Sequence, residues 1–305
     1  MTGVLEGFAT VGFIIGVGLL LAHARILDAS AQRMLATLTF YVASPALLIT
    51  MLQDADVHQL FSGNLIATGG AVAVSGLLAL GLSRARSHDL GRTVISMLSA
   101  CYVNGANLGI PIAVYVIGDA TAVVPTILLQ LVLLQPIALT LLDVAVAGQP
   151  LSWRVVASRP FKNPMTIASA AGLAMALTGL HLPGPLFDPI QIIGQMSVPG
   201  MLIAYGISLR LGPLPGRGVP ATELAGLVAL KMAVQPVAAY IIGRLLGLSD
   251  HELLTVTVLA GLPTAQNVFV MAVRYQRSVT LARDAVFVTT LAAIPQMLLI
   301  SALLT

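Results

Sequence analysis

The sequence predicts an all-α polytopic membrane protein: ten transmembrane helices as two inverted five-helix repeats, with broken crossing helices at the fourth and ninth spans. Three observations carry that reading. First, 57% of the 305 residues are hydrophobic and only 9% are charged, with a mean hydropathy of +0.96, whereas a soluble domain is about a quarter charged. Second, Lys and Arg gather in alternate loops. Third, two apolar runs carry Gly and Pro at their centres, at corresponding places in the two halves.

Taken in order, the spans fall at 4–22, 34–53, 61–83, 91–117, 120–146, 164–181, 190–210, 221–246, 252–273 and 284–304, each enough to cross ~30 Å of hydrocarbon. The first, from Val4 to Ala22, lacks a basic leader and a clear cleavage site, so no cleavable signal peptide is expected. Its Gly12-Phe13-Ile14-Ile15-Gly16-Val17-Gly18 run predicts close helix packing rather than a nucleotide loop, since no strand precedes it. Turn and loop residues separate the spans: Asp54-Ala55-Asp56, Gly118-Asp119, Pro183-Gly184-Pro185 and Gly212-Pro213-Leu214-Pro215-Gly216.

Orientation follows from the basic residues. Alternate connections hold Arg25 and Arg33; Arg84, Arg86 and Arg92; Arg154, Arg159 and Lys162; Arg210 and Arg217; Arg274, Arg277 and Arg283, while the other side holds only Arg244. These five loops are therefore expected in the cytoplasm and both termini outside. The charge of +3 is thus topological, and no nucleic-acid partner is expected. The polar connection 147–163, with Pro150, Trp153 and Pro160, links a first repeat at 1–146 to a second at 164–305. Ser44-Pro45-Ala46-Leu47-Leu48-Ile49 in the second span matches Val198-Pro199-Gly200-Met201-Leu202-Ile203 in the seventh. An odd number of crossings per repeat inverts one against the other.

The candidate site lies at the interruptions. Asn104-Gly105-Ala106-Asn107-Leu108-Gly109-Ile110-Pro111 in the fourth span aligns with Ala260-Gly261-Leu262-Pro263-Thr264-Ala265-Gln266-Asn267 in the ninth. Proline removes a backbone donor and glycine relaxes the chain, so both helices should unwind, and unwound backbone is tolerated in a membrane only inside protein or along a cavity. Gly109, Pro111, Gly261 and Pro263 are read as hinges, and Asn104, Asn107, Gln266 and Asn267 as ligands for a polar substrate. Lys231, deep in the eighth span, is read as neutralising an anionic substrate or acting as a proton-coupled switch, with snorkelling as its bland alternative. Gln235-Pro236 follows one turn later. Gln130, Gln135-Pro136 and Pro295-Gln296 are expected to join helices rather than touch substrate. Asp143 sits near the end of its span, where a wet interface suffices.

Catalysis finds little support. The five histidines fall in loops or at span ends, and there is no His-Glu-x-x-His, Gly-x-Ser-x-Gly or Walker sequence. The single cysteine, Cys101, excludes an internal disulfide and a cysteine-based metal site. No enzyme, cofactor or metal is expected, and without a nucleotide site any driving force must be a gradient.

With these motifs in place, the chain resembles the auxin efflux carrier family over essentially its full length. The resemblance rests on Asn104 seven residues before Pro111, within Gly109-Ile110-Pro111-Ile112, and on Leu262-Pro263-Thr264-Ala265 leading to Val273-Arg274-Tyr275. It implies the fold of bile-acid symporters and sodium/proton antiporters. In that fold helices 4 and 9 cross at broken centres in a transport domain of helices 3–5 and 8–10, moving against a scaffold of helices 1, 2, 6 and 7. It also implies that Asn104 meets substrate. The long central loop of the plant exporters is absent, so phosphorylation control and auxin itself are not carried over. The expected function is secondary transport of a small organic anion, a carboxylate, across a bacterial inner membrane, with a proton or sodium ion as coupling ion and a homodimer left open. The runner-up is a membrane receptor, of which an appended soluble output domain would be expected.

Overall fold

The computed structural model describes residues 2–54, 63–109, 112–147 and 162–304. Pro111 and the linker residues Pro150, Trp153, Arg154, Arg159 and Pro160 lie outside the described residues. Those described are helical, with no strand among them beyond one isolated backbone bridge. In chain order the helices are α1 (Thr2–His23), α2 (Ala29–Gln53), α3 (Gly63–Ala85), α4 (Leu90–Cys101) and α5 (Thr121–Ala147). Then follow α6 (Pro164–Thr178), α7 (Gly184–Leu211), α8 (Ala221–Leu245), α9 (Asp250–Ala260), α10 (Gln266–Tyr275) and α11 (Val279–Leu304). Six of them, α2, α3, α5, α7, α8 and α11, are long and apolar enough to cross a bilayer. α4, α9 and α10, with 12, 11 and 10 residues, are too short because the chain breaks at their ends.

Three spans widen into a π-helical turn immediately before a polar residue and a proline: Thr39–Ala43 before Ser44-Pro45, Leu129–Leu134 before Gln135-Pro136, and Leu230–Val234 before Gln235-Pro236. The cause is local. A helical proline clashes with the carbonyl four residues back, here that of Tyr41, Val132 or Met232, and each of these lies inside a π turn. The extra residue relieves the clash without ending the helix, and Gln135 and Gln235 are left fully buried.

Packing gathers the helices into two neighbourhoods. α1 lies along α7, and α2 along α6 and α7; α3 packs on α4, α8 and α9, and α8 also on α9 and α11. The α1–α7 approach runs through Gly18 and Gly206. A Cβ at Gly18 would sit 2.3 Å from the Ile203 carbonyl oxygen, and one at Gly206 would sit 2.1 Å from that of Ile15. Gly12 and Gly16 meet nothing within 4 Å. The expected small-residue seam is therefore offset: Val11, Ile15, Gly18 and Ala22 share the buried face at helical spacing, and Gly12 and Gly16 project beside it. Leu77, Leu133, Ile137, Val237, Leu299 and Leu303 stand exposed on the outside of the bundle, as a hydrocarbon surround requires. At the helix ends, Asp28 accepts from the Ser30 and Ala31 amides to start α2. The Ser30 hydroxyl and these amides hold its carboxyl below the usual range. Ser249 and Glu252 form a capping box at the start of α9.

Candidate functional site

Both interrupted segments leave the helix as extended backbone, and they meet there. α4 ends at Cys101, Tyr102 turns extended at φ −87°, ψ 108°, and a π turn resumes at Gly105–Gly109. In the other half α9 ends at Ala260, and Ala265, at φ −70°, ψ 143°, leads into α10. Val103 and Thr264 pair antiparallel. The Asn104 amide donates to the Pro263 carbonyl at 2.8 Å, and the Ala265 amide donates to the Tyr102 carbonyl at 3.1 Å. Side chains take the remaining groups: Gln130 Oε1 accepts from the Val103 amide at 2.7 Å, Thr289 Oγ1 accepts from the Thr264 amide at 3.1 Å, and Thr264 Oγ1 donates to the Ser99 carbonyl at 2.7 Å. Each break thus supplies the partners that the other loses, which low-dielectric surroundings demand.

The first break opens earlier than Gly109-Pro111, because the pairing with Thr264 and the Gln130 amide draw Val103 and Asn104 out of the helical ladder. Gly109 has a different task. A Cβ there would lie 2.8 Å from Val123 Cγ2 and 3.1 Å from Leu262 Cδ1, so its bare backbone lets the two broken segments and α5 close together. Gly261 similarly admits Gln296, Met297 and Ile300 of α11 at 2.9–3.0 Å.

The amides read from the sequence converge in part. Asn104 Nδ2 donates to Gln266 Oε1 at 2.8 Å and Asn107 Nδ2 reaches the same oxygen at 3.4 Å. Asn104 and Gln266 are buried, and Asn107 and Asn267 are partly open. Asn104, Asn107 and Asn267 line a cavity also walled by Ser44, Leu48 and Met51 of α2, Ile127, Gln130 and Gln135 of α5, Met165 of α6, and Ser197 and Met201 of α7. It offers about 50 Å³ to the centres of water-sized spheres. At ~10–15 Å³ per water, that holds a few waters or a small molecule of like bulk.

Among the described residues no Lys, Arg, Asp or Glu lines this cavity. α10 begins with no side-chain cap, and its N-cap residue Ala265 and second residue Asn267 line the cavity. Gly105, Ala106 and Asn107 of the π turn at Gly105–Gly109 stand in the same wall. The N-terminal end of α10, with its partial positive charge, therefore borders this volume. Gln135 Nε2 and Gln266 Nε2 are buried without an acceptor, and Gln135 stands in the cavity wall.

Lys231 is elsewhere. It is fully buried, and its ammonium donates to Gln235 Oε1 and to the Ala260 carbonyl, both at 2.7 Å. Gln235 Nε2 in turn donates to the Cys101 carbonyl at 3.0 Å. Cys101 and Ala260 are the last residues of α4 and α9, so α8 presents a cation and an amide to the two C-termini of the crossing. The negative ends of α4 and α9 are answered on one side, and the positive end of α10 borders the cavity on the other.

The family model described as membrane transport protein matches residues 4–148 and 149–301. The chain belongs to this family. That bears out the resemblance to the auxin efflux carriers drawn from the fourth- and ninth-span motifs. A protein of Rhizobium meliloti (strain 1021) named "Putative malonate transporter" is 28% identical over 282 residues, covering 89% of this chain and 87% of that protein. Like other members of the membrane transport protein family, the chain is a multi-pass membrane protein.

The sequence reading did not place five polar residues of the cavity in the site. Gln130 and Gln135 do join helices, as expected: Gln130 holds the Val103 amide and Gln135 Oε1 accepts from the Tyr102 hydroxyl at 3.1 Å. They also line the cavity. Ser44, hydrogen-bonded to Ser197 at 2.8 Å, opens the proline motif of α2, and Ser197 stands one residue before the matching motif of α7. The alignment held Ser44 and left Ser197 just outside it. Tyr102 had no signal of its own.

Proposed function

We propose that the chain is a secondary transporter that carries a small organic anion, a dicarboxylate of malonate size, by alternating access about the crossing. The observation that carries this reading is the meeting of the uncapped α10 N-terminus and several side-chain amides at a small cavity that no charged side chain lines among the described residues. One carboxylate would take the backbone amides of Ala106 and Asn107 and those at the start of α10. Asn104, Asn107, Asn267 and Gln135 would hold its remaining oxygens. Gln266 anchors the asparagines, and Lys231 acts from outside the cavity. One helix terminus at ~1 kcal/mol and two charge-assisted amide bonds at ~1.5–2 kcal/mol each give ~4–5 kcal/mol, a dissociation constant of order 0.5 mM. Such loose binding suits a carrier that must release its load. The relative's name supplies malonate as the first candidate.

The architecture we propose around this site has ten crossings in two inverted repeats, with the 147–163 connection and both termini placed as the basic residues direct. The neighbourhood of α1, α2, α6 and α7 is the scaffold. The other helices form the moving body, with the cavity between Ser44 and Ser197 on one side and the crossing on the other. The inner membrane of a bacterium is the setting, and a proton or sodium gradient the drive. Purified protein in proteoliposomes should accumulate labelled malonate under one of these gradients and take up labelled glucose no faster than empty vesicles. Equal, gradient-independent equilibration of mono-, di- and tricarboxylates and sugars would refute the proposal.

A further inference from the structure

A second recess lies at the Arg-rich ends of α2 and α10, away from the crossing. Arg33, Thr37 and Tyr41 of α2, with Val273, Arg274 and Gln276, form its walls. Arg33, Thr37 and Tyr41 also border an adjoining groove completed by Met34, Leu38 and Val42. The two stripes run side by side along α2, each at four-residue spacing, one basic and polar and the other apolar. Met34, Leu38 and Val42 are 67%, 40% and 44% exposed, so the apolar stripe faces outward.

Among the described residues no carboxylate pairs with Arg33 or Arg274. The Arg274 guanidinium lies 4.8–5.7 Å from the ring centres of Tyr41, Tyr275 and Phe40. Its Nη2 donates to the Tyr41 hydroxyl, while its Nε is buried without an acceptor. The nearby Asp143 carboxylate is engaged by the Tyr275 hydroxyl at 2.9 Å and by Asn163. A guanidinium set among aromatic rings, with donors left over, is prepared for an oxyanion.

We propose that this recess and groove bind an anionic phospholipid, the phosphate between Arg33 and Arg274 and one acyl chain along Met34, Leu38 and Val42. A soluble phosphate would use the recess and leave the groove bare; a zwitterionic lipid would fill the groove and forfeit the net charge match. The lipid would straddle α2 and α10, which the Arg274–Tyr41 hydrogen bond already joins.

Native mass spectrometry of detergent-purified protein with added phosphatidylglycerol or phosphatidylcholine tests this. Phosphatidylglycerol is expected to be retained preferentially, with about fivefold weaker retention in Arg33→Gln and again in Arg274→Gln. Met34→Asn should weaken phosphatidylglycerol retention too, and glycerol phosphate at equal concentration should not displace the lipid. Unchanged retention in Arg33→Gln, equal retention of both lipids, or displacement by glycerol phosphate would each overturn the proposal. Arg33 is exposed, so its variant keeps the fold. Should Arg274→Gln not fold, Arg33→Gln alone decides, and thermal melts in lipid-free detergent confirm that the two proteins compared are equally folded.

Discussion

Replacing Lys231 with Met separates two roles for a lysine that the sequence alone leaves joined. The ammonium satisfies the Ala260 carbonyl and Gln235 Oε1, both at 2.7 Å and both out of reach of water. Hydrogen bonds to a charged donor are worth ~1.5–3 kcal/mol each, so the gross loss is ~3–6 kcal/mol. Against this, methionine removes the desolvation cost of a buried cation, which recovers a few kcal/mol. A net destabilisation of about 2–3 kcal/mol remains, because the α9 C-terminus and the Gln235 oxygen are left without a donor. The variant should therefore melt several degrees lower in a detergent thermal-shift assay. Its apparent KM for the transported anion should stay within about threefold of wild type, since Lys231 does not line the cavity. An unchanged melting temperature with a KM raised tenfold or more would refute this reasoning and return Lys231 to the substrate.

Asn104→Ala removes the bond to Gln266 while the backbone bond from Asn104 to Pro263 survives, so uptake should fall at least tenfold with little change in the amount of folded protein. Gly206→Ala would drive a methyl into the Ile15 carbonyl at 2.1 Å and should cost more than about 2 kcal/mol, whereas Gly16→Ala, facing open space, should melt like wild type. Asp284→Asn breaks a buried pair in which Arg283 also touches the Ser208 carbonyl, and a loss of about 3–5 kcal/mol is expected in the same assay.

Composition and the Gly-Pro matches made the membrane class and the two breaks legible, because backbone groups in hydrocarbon restrict a chain so severely. The same alignment named Asn104 and Gln266 as site residues, but their contact is a finding of the structure. What the sequence did not disclose was which face each polar residue uses. Gln130 and Gln135 read as helix glue, since a single sequence carries no sign of the π turn that contains Gln130 and leads into Gln135. Lys231 and Gln235 stand four apart on one helix, so their bond was available from spacing. That the ammonium also reaches the end of α9 depends on how α8 packs, a tertiary fact. Met34, Leu38 and Val42 likewise looked like any apolar run until Arg274 came to rest beside them.

The central claim is that the cavity at the crossing holds the anion, and substrate protection at its wall tests that most directly. In a Cys101→Ala background, a cysteine introduced by Ser197→Cys should react with a small anionic thiol reagent in proteoliposomes. Millimolar malonate should slow that reaction at least fivefold, while glucose should not. Labelling at the same rate with and without malonate, in protein that still transports it, would contradict the claim.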